Sequence, residues 1–183
     1  MPDDCDSSVE SASPQQGSAG WLAVDILHED GEWPDFEALA LGMAAAAATL
    51  SRHAAFGDAP PSTACIALSS DATVRRLNAE YRKKDSPTNV LSFPAPDAFA
   101  GTDDDAAVTL GDIVLAEETV RSEADELGIP LSDHVRHLAV HGLLHLLGYD
   151  HEVAAEAETM EALEIEILSR LGIPDPYAGR ELK

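Results

Sequence analysis

The chain of 183 residues is poor in cysteine, in aromatic side chains and in long apolar runs, and each shortage excludes a class of protein. Its two cysteines, Cys5 and Cys65, are too few for a disulfide framework. Nine aromatic residues argue against a surface on which nucleic-acid bases stack in series. The longest apolar stretch, residues 38–50, is too short to cross a bilayer. We therefore expect a cytoplasmic protein that makes no contact with membranes.

Basic residues are also scarce, with 11 lysines and arginines against 34 acidic residues. Net acidity of this size repels nucleic-acid phosphates at long range. Five of the bases nevertheless lie within ten residues, which we name the basic strip: Arg75, Arg76, Arg82, Lys83 and Lys84. A strip of this kind binds a polyanion locally, but a solvated helix face would carry the same charges.

The length and composition predict one folded domain between two tails. Residues 1–20 are acidic and rich in Ser, Pro, Gln and Gly without an apolar segment, so we expect a disordered acidic tail. The domain should span residues 21–177, followed by a short C-terminal tail at 178–183.

The hydrophobic pattern predicts strands alternating with helices, and then helices alone. Strands are expected at residues 21–28, 63–68, 89–93 and 108–115. Helices are expected at 35–56, 71–81 with Asp71 as its cap, 116–127, a histidine-rich helix capped by Ser132, and 152–171. This order indicates an α+β fold in which one small mixed sheet packs against helices.

Histidine is concentrated near the C-terminus, where five of the seven lie between His134 and His151. His141 and His145 are one helical turn apart and project from the same face. Gly148 can end the helix in the left-handed conformation and return His151 to the same point. Three converging imidazoles with an open fourth position are typical of a catalytic zinc site, so one Zn²⁺ per chain is expected.

Two alternatives concern the other histidines. A single histidine on a buried helix is more often a hydrogen-bonded core residue than a ligand. His137 lies four residues before His141 and could form a rival pair with it. For His134 and His137 we favour a supporting or surface role, because no third ligand follows from their spacing.

The residue after the first ligand separates this motif from that of zinc peptidases. Peptidases with His-Glu-x-x-His use the glutamate as general base. Gly142 stands at that position here and carries no group that accepts a proton, which argues against proteolysis. Asp112 and Asp150 are the acids expected nearby, and for both we favour a hydrogen bond to a ligand histidine over a catalytic role.

Phosphodiester cleavage suits the remaining residues better, since it needs a Lewis acid and a fixed cation at the phosphate. Arg82 could supply that cation, although it could equally pair only with Asp85. Lys83 and Lys84 are expected to contact backbone phosphates, and Arg75 and Arg76 extend this candidate RNA-binding strip.

Three blocks resemble the YbeY family of bacterial rRNA-maturation endoribonucleases. The first is His-Gly-x-Leu-His-Leu-x-Gly-Tyr-Asp-His at residues 141–151. The second is Leu-Asn-x-x-Tyr-Arg-x-Lys-Asp-x-Pro-Thr-Asn-Val-Leu-Ser-Phe-Pro at 77–94, and the third is Leu-Gly-Asp-Ile-Val-Leu at 110–115. Asn89 stands where many relatives carry aspartate, so that position receives no catalytic role.

The resemblance implies a zincin-like fold with zinc on His141, His145 and His151, and catalytic roles for His141 and Arg82. It also implies a single-strand-specific endoribonuclease that matures the 3′ end of 16S rRNA and acts in ribosome quality control, with rRNA and the small ribosomal subunit as partners. Two rivals stay open, a non-catalytic ribosome-assembly factor held together by zinc and a metal-dependent hydrolase of peptides or small molecules.

Overall fold

The computed structural model describes residues 20–96 and 107–178, so both predicted tails lie almost wholly outside the described residues. The strands are β1 (Leu22–His28), β2 (Ser62–Ser69), β3 (Val90–Pro94) and β4 (Val108–Ala116). The helices are α1 (Phe36–Ser51), α2 (Asp71–Arg82), α3 (Glu117–Leu127), α4 (Leu131–Leu146) and α5 (Ala154–Arg170). The predicted α+β fold is confirmed. In the described ranges, every helix is too short or too polar to span a membrane.

The four strands form a mixed sheet in the order β1-β2-β4-β3. β1, β2 and β4 are parallel to their neighbours, whereas β3 runs antiparallel to β4. The main core lies between one face of the sheet and helices α1, α4 and α5. A smaller cluster on the other face packs α2 against β3 and β4 through Val74, Leu91 and Val114.

A bulge in β4 decides which side chains face the main core. Thr63 of β2 pairs with Thr109 and the next residue, Ala64, pairs with Gly111, so Leu110 is the extra residue. Gly111 has φ +136°, and a Cβ there would lie 2.1 Å from the Phe93 carbonyl oxygen. The bulge therefore depends on glycine, and after it the core side chains are Ile113 and Leu115.

Several helix ends differ from the predicted ones. The long helix expected at 35–56 stops at Ser51, and a separate 3₁₀ turn covers Ala54–Phe56. Ser70, not Asp71, caps α2, since its hydroxyl accepts a hydrogen bond from the Thr73 amide. Asp71 instead accepts from the amide and hydroxyl of Thr119, in the first turn of α3, because its side chain crosses to the neighbouring helix.

The two C-terminal helices also begin elsewhere. Ser132 lies inside α4, which starts directly after Pro130, so no side chain caps this helix. Proline at this point sets the backbone without needing a hydrogen bond of its own. Helix α5 begins at Ala154, two residues later than predicted.

Candidate metal centre

Helix α4 and the turn that follows it bring three histidines together. His141 and His145 lie one turn apart on the half-buried side of α4. Gly148 follows the helix with φ +88°, and the Tyr149 amide bonds back to the Leu144 carbonyl. The turn returns His151, and one ligand nitrogen of each ring lies within 4.8 Å of those of the other two. These three side chains could hold a metal ion.

The hydrogen bonds of His141 and His145 leave the same nitrogen free on each ring. His141 Nδ1 lies 2.6 Å from Glu164 Oε1, and His145 Nδ1 lies 3.0 Å from the Tyr149 carbonyl oxygen. Both partners are acceptors, so both Nδ1 atoms carry the proton and both Nε2 atoms present a lone pair. The two Nε2 atoms are 3.1 Å apart.

Two facing lone pairs at this distance repel each other unless they share a cation. Two nitrogens bound to one tetrahedral zinc ion would lie about 3.3 Å apart, given Zn–N bonds of about 2.05 Å. The observed spacing of 3.1 Å is close to that value. The residues present therefore fit a metal with histidine ligands.

Burial also keeps His145 in the form that binds metal. Burial lowers the pKa of His145, and the nearby His141 and His151 lower it further. A lowered pKa keeps the imidazole neutral to more acid pH, and only the neutral ring offers a lone pair.

Glu164 of α5 orients His141, and the sequence reasoning missed it. Its side chain is completely buried, and besides His141 it accepts a hydrogen bond from the Tyr177 hydroxyl. His137 Nε2 lies 3.5 Å from its other carboxylate oxygen. Burial alone would raise the pKa of Glu164, but the neighbouring His137 and the hydrogen bond with His141 lower it to about 2. A buried carboxylate that fixes a ligand histidine raises the basicity of the ring.

A signal for Glu164 was present in the sequence. Helix α5 carries many acids, but Glu164 alone lies on its apolar stripe, with Met160, Ile167 and Leu168 buried around it. An acid at such a position needs a buried partner, and the histidines of α4 are that partner.

Gly142 faces the sheet, which explains why this motif carries no glutamate. A Cβ at this position would lie 2.9 Å from two carbon atoms of the Ile113 side chain and 3.1 Å from a third. Helix α4 therefore approaches β4 so closely here that a larger side chain has no room. The position after the first histidine is therefore a packing contact with β4.

The two aspartates expected near the ligands play other roles. Asp112 precedes Ile113 in β4 and is exposed; because strand side chains alternate, it faces away from α4. This placement does not fit the predicted hydrogen bond in which Asp112 accepts from a ligand histidine. Asp150 Oδ1 accepts from the backbone amide of His151 at 2.7 Å, so it fixes the turn that presents His151 and leaves the ring free.

Arg82 ends α2 and reaches towards α4 across β3. Its Nη2 lies 3.4 Å from the Ser92 carbonyl oxygen, and the Ser92 hydroxyl lies 3.5 Å from the carbonyl oxygen of Gly142. The alternative pairing with Asp85 is not seen, because Arg75 occupies that carboxylate with two hydrogen bonds of 2.7 and 3.0 Å. Arg82 is thus an exposed cation one strand away from the histidine helix.

The rest of the basic strip is exposed along α2 and the loop after it. Arg76 and Lys84 point to solvent, and Lys83 Nζ donates to the Glu80 carbonyl oxygen at 2.8 Å. Lys83 also has φ +61°, which ends the helix and turns the chain towards β3.

The other two histidines of α4 are His134, which is buried, and His137, which is half-buried. His134 is buried, with Nε2 2.8 Å from Glu123 Oε2, and the Asn89 amide donates to both oxygens of Glu123. His137 packs edge-on against the rings of His141 and Tyr177. A cavity of about 720 Å³ is lined by four histidines: His134, His137 and His141 of α4, and His151.

A family model described as Endoribonuclease YbeY matches residues 43–172, which include the whole of β2 to α5 and all three histidine ligand candidates. The chain belongs to the YbeY family. The resemblance read from the three sequence blocks is thereby confirmed.

Close relatives of this YbeY-family chain carry the same description. An Endoribonuclease YbeY of Rhizobium etli is 47% identical over 168 residues, which cover 88% of this chain and 96% of the relative. One of a Bradyrhizobium species is 60% identical over 118 residues, covering 63% and 69% of the two chains. Among solved structures, that of TM1509 from Thermotoga maritima covers 88% of this chain and 100% of its own, with a TM-score of 0.51 at 22% identity. This last likeness shows the fold.

Proposed function

We propose that this YbeY-family chain is a metal-dependent, single-strand-specific endoribonuclease that matures the 3′ end of 16S rRNA and acts in ribosome quality control. Relatives named Endoribonuclease YbeY support the reaction class. Its partners are then ribosomal RNA and the small ribosomal subunit, and its location is the cytoplasm, where that RNA is processed. The domain responsible is residues 21–177.

The observation that carries this proposal is the pair of Nε2 lone pairs that face each other at 3.1 Å, with both Nδ1 atoms bonded elsewhere. We assign His141, His145 and His151 as the ligands of one zinc ion, since three imidazoles suit zinc. The bound ion supplies Lewis acidity to a phosphate oxygen or to water.

The protein's own groups complete the site. Glu164 holds the proton of His141 on Nδ1 and so keeps Nε2 aimed at the centre. Arg82 neutralises charge that develops on the phosphoryl oxygens, for which a planar guanidinium is suited. Arg76 and Lys84, both exposed, contact the RNA backbone and hold the strand without reading its sequence.

Cleavage of labelled single-stranded RNA and of the same sequence as a duplex tests the proposal. A chelator and His141→Ala should each abolish cleavage of the single strand, and Arg82→Ala should lower kcat/KM by about 100-fold or more. Arg170→Ala is the matched control, because among the described residues this arginine pairs only with Glu166 on α5. Cleavage that survives the chelator and both substitutions would refute the assignment.

The rival in which zinc only holds the fold together makes a different prediction. The main core consists of apolar side chains and includes none of the three candidate ligands, and His151 is exposed. The chelated protein should therefore keep its circular dichroism spectrum while it loses activity. Unfolding on chelation would favour the structural role, since structural metal binding contributes folding free energy.

A further inference from the structure

The cavity beside the metal centre is built by two helices that face each other. Helix α4 contributes residues spaced as i, i+3, i+4 and i+7, namely His134, His137, Leu138 and His141. Helix α5 contributes the same pattern, namely Ala157, Met160, Glu161 and Glu164. His141 and His151 are candidate ligands, so the cavity adjoins the metal centre directly.

The lining of the cavity disfavours phosphate. Four carboxylates lie in its wall, Glu123, Glu161, Glu164 and Asp175, while the described lining residues include no lysine or arginine. Much of the remaining wall is apolar, including Leu127 and Met160. A charged phosphate would be repelled here, whereas a flat, neutral group with hydrogen-bond donors would be accommodated. The phosphates then belong on the Arg82 side of the metal centre.

Three of the four carboxylates already have partners. Glu123 accepts from Asn89, Glu164 accepts from Tyr177, and Asp175 Oδ1 accepts from the backbone amide of residue 177 at 2.8 Å. Glu161 is half-buried in the wall and, within residues 20–96 and 107–178, makes no hydrogen bond or ion pair. The carboxylate of Glu161 can therefore accept a hydrogen bond from a ligand in the cavity.

We propose that the cavity binds the nucleobase next to the scissile phosphate, and that Glu161 selects a base with an exocyclic amino group. This inference rests on the proposed ribonuclease function. An ionised carboxylate only accepts hydrogen bonds, so it pairs with the N4 amino group of cytosine. Uracil has the same shape but places a carbonyl oxygen there, which leaves two acceptors facing each other. Glu161 thereby determines specificity and takes no part in bond cleavage.

Two RNA substrates that differ only in cytosine or uracil beside one cleavable bond test Glu161. The wild-type protein should cleave the cytosine substrate about tenfold more efficiently, in the range expected for one base-specific contact. Glu161→Gln offers a donor as well as an acceptor and should reduce the preference to about twofold or less. Glu158→Gln, an exposed residue of the same helix outside the cavity, should keep it. An equal rate for both substrates, or an unchanged preference in Glu161→Gln, overturns the proposal.

Filling the cavity tests where the base lies. Ala157 lines the cavity, whereas Ala155 is exposed two residues earlier on the same helix. Ala157→Phe should lower kcat/KM at least tenfold for the intact cytosine substrate, and should have little effect when that nucleotide is abasic. Ala155→Phe should leave both rates unchanged. Equal inhibition of intact and abasic substrates by Ala157→Phe would show that no base enters the cavity.

A binding measurement separates this proposal from the proposed reaction. Fluorescence anisotropy of labelled oligocytidine and oligouridine, recorded in chelator, reports base selection without cleavage. Tighter binding of oligocytidine that is lost in Glu161→Gln supports the cavity assignment even if the wild-type protein cleaves no RNA. Equal affinities for the two oligonucleotides overturn it even if cleavage is observed.

Discussion

Gly142→Ala should destabilise the protein although alanine is the better helix former. The added Cβ would lie 2.9 Å from two carbons of Ile113, well inside the contact distance of about 3.5–4.0 Å between carbon atoms. Overpacking of this kind costs about 1–3 kcal/mol, against which alanine returns about 1 kcal/mol of helix propensity. We expect a net loss of about 1 kcal/mol in the free energy of unfolding, measured by urea denaturation with circular dichroism.

The sign of the effect should reverse once Ile113 is shortened. Ile113→Ala alone should cost about 2–5 kcal/mol because it leaves a cavity in the core. In that background Gly142→Ala has room and should stabilise by about 1 kcal/mol. Gly42→Ala in α1 is the matched control, since a Cβ there meets the flexible Arg136 side chain at 3.4 Å, and it should stabilise in either background. If Gly142→Ala stabilises as much as Gly42→Ala, the close contact with β4 does not exist.

Three further outcomes are expected. Glu164→Gln should weaken zinc binding about 10–100-fold in a chelator competition, while Glu158→Gln binds zinc normally. In metal-free protein, the lowered pKa of Glu164 stabilises the fold above pH 4.5, and this contribution of up to about 3 kcal/mol should disappear as the pH falls towards about 2. A stability profile that is the same in wild type and Glu164→Gln between those values would contradict the assignment. Lys84→Ala should lower the slope of log affinity for single-stranded RNA against log salt by about 0.7, whereas Arg170→Ala should leave the slope unchanged.

The local parts of the metal centre could be predicted because they depend on residues close in sequence. The one-turn spacing of His141 and His145 and the left-handed Gly148 follow from helix geometry alone, and the structure has both. The absence of a base at Gly142 was visible in the sequence, but its cause was not. That cause is the contact with Ile113, 29 positions earlier in the chain, and no local pattern reveals it.

The errors share a physical origin in tertiary contacts. If side chains alternated regularly from the buried Leu110, Asp112 would lie on the face of the sheet that packs against α4. The bulge at Gly111 inserts one residue, so Asp112 lies on the opposite face. Aspartate is a common capping residue, but Ser70 caps α2 instead of Asp71. The Asp71 carboxylate accepts hydrogen bonds from Thr119 of the neighbouring helix α3. Contacts between residues of different strands and helices determine both the orientation of Asp112 and the cap of α2. A single sequence does not show which residues make such contacts.

Because His141 is oriented by Glu164, the metal centre is completed only after helix α5 has been synthesised. His141 obtains its orienting carboxylate from a residue 23 positions later, and that carboxylate is held in turn by Tyr177, another 13 positions on. The sheet and α1 to α4 are encoded earlier and can begin to fold first. The nascent chain thus carries an incompletely ordered centre until α5 and Tyr177 dock against α4.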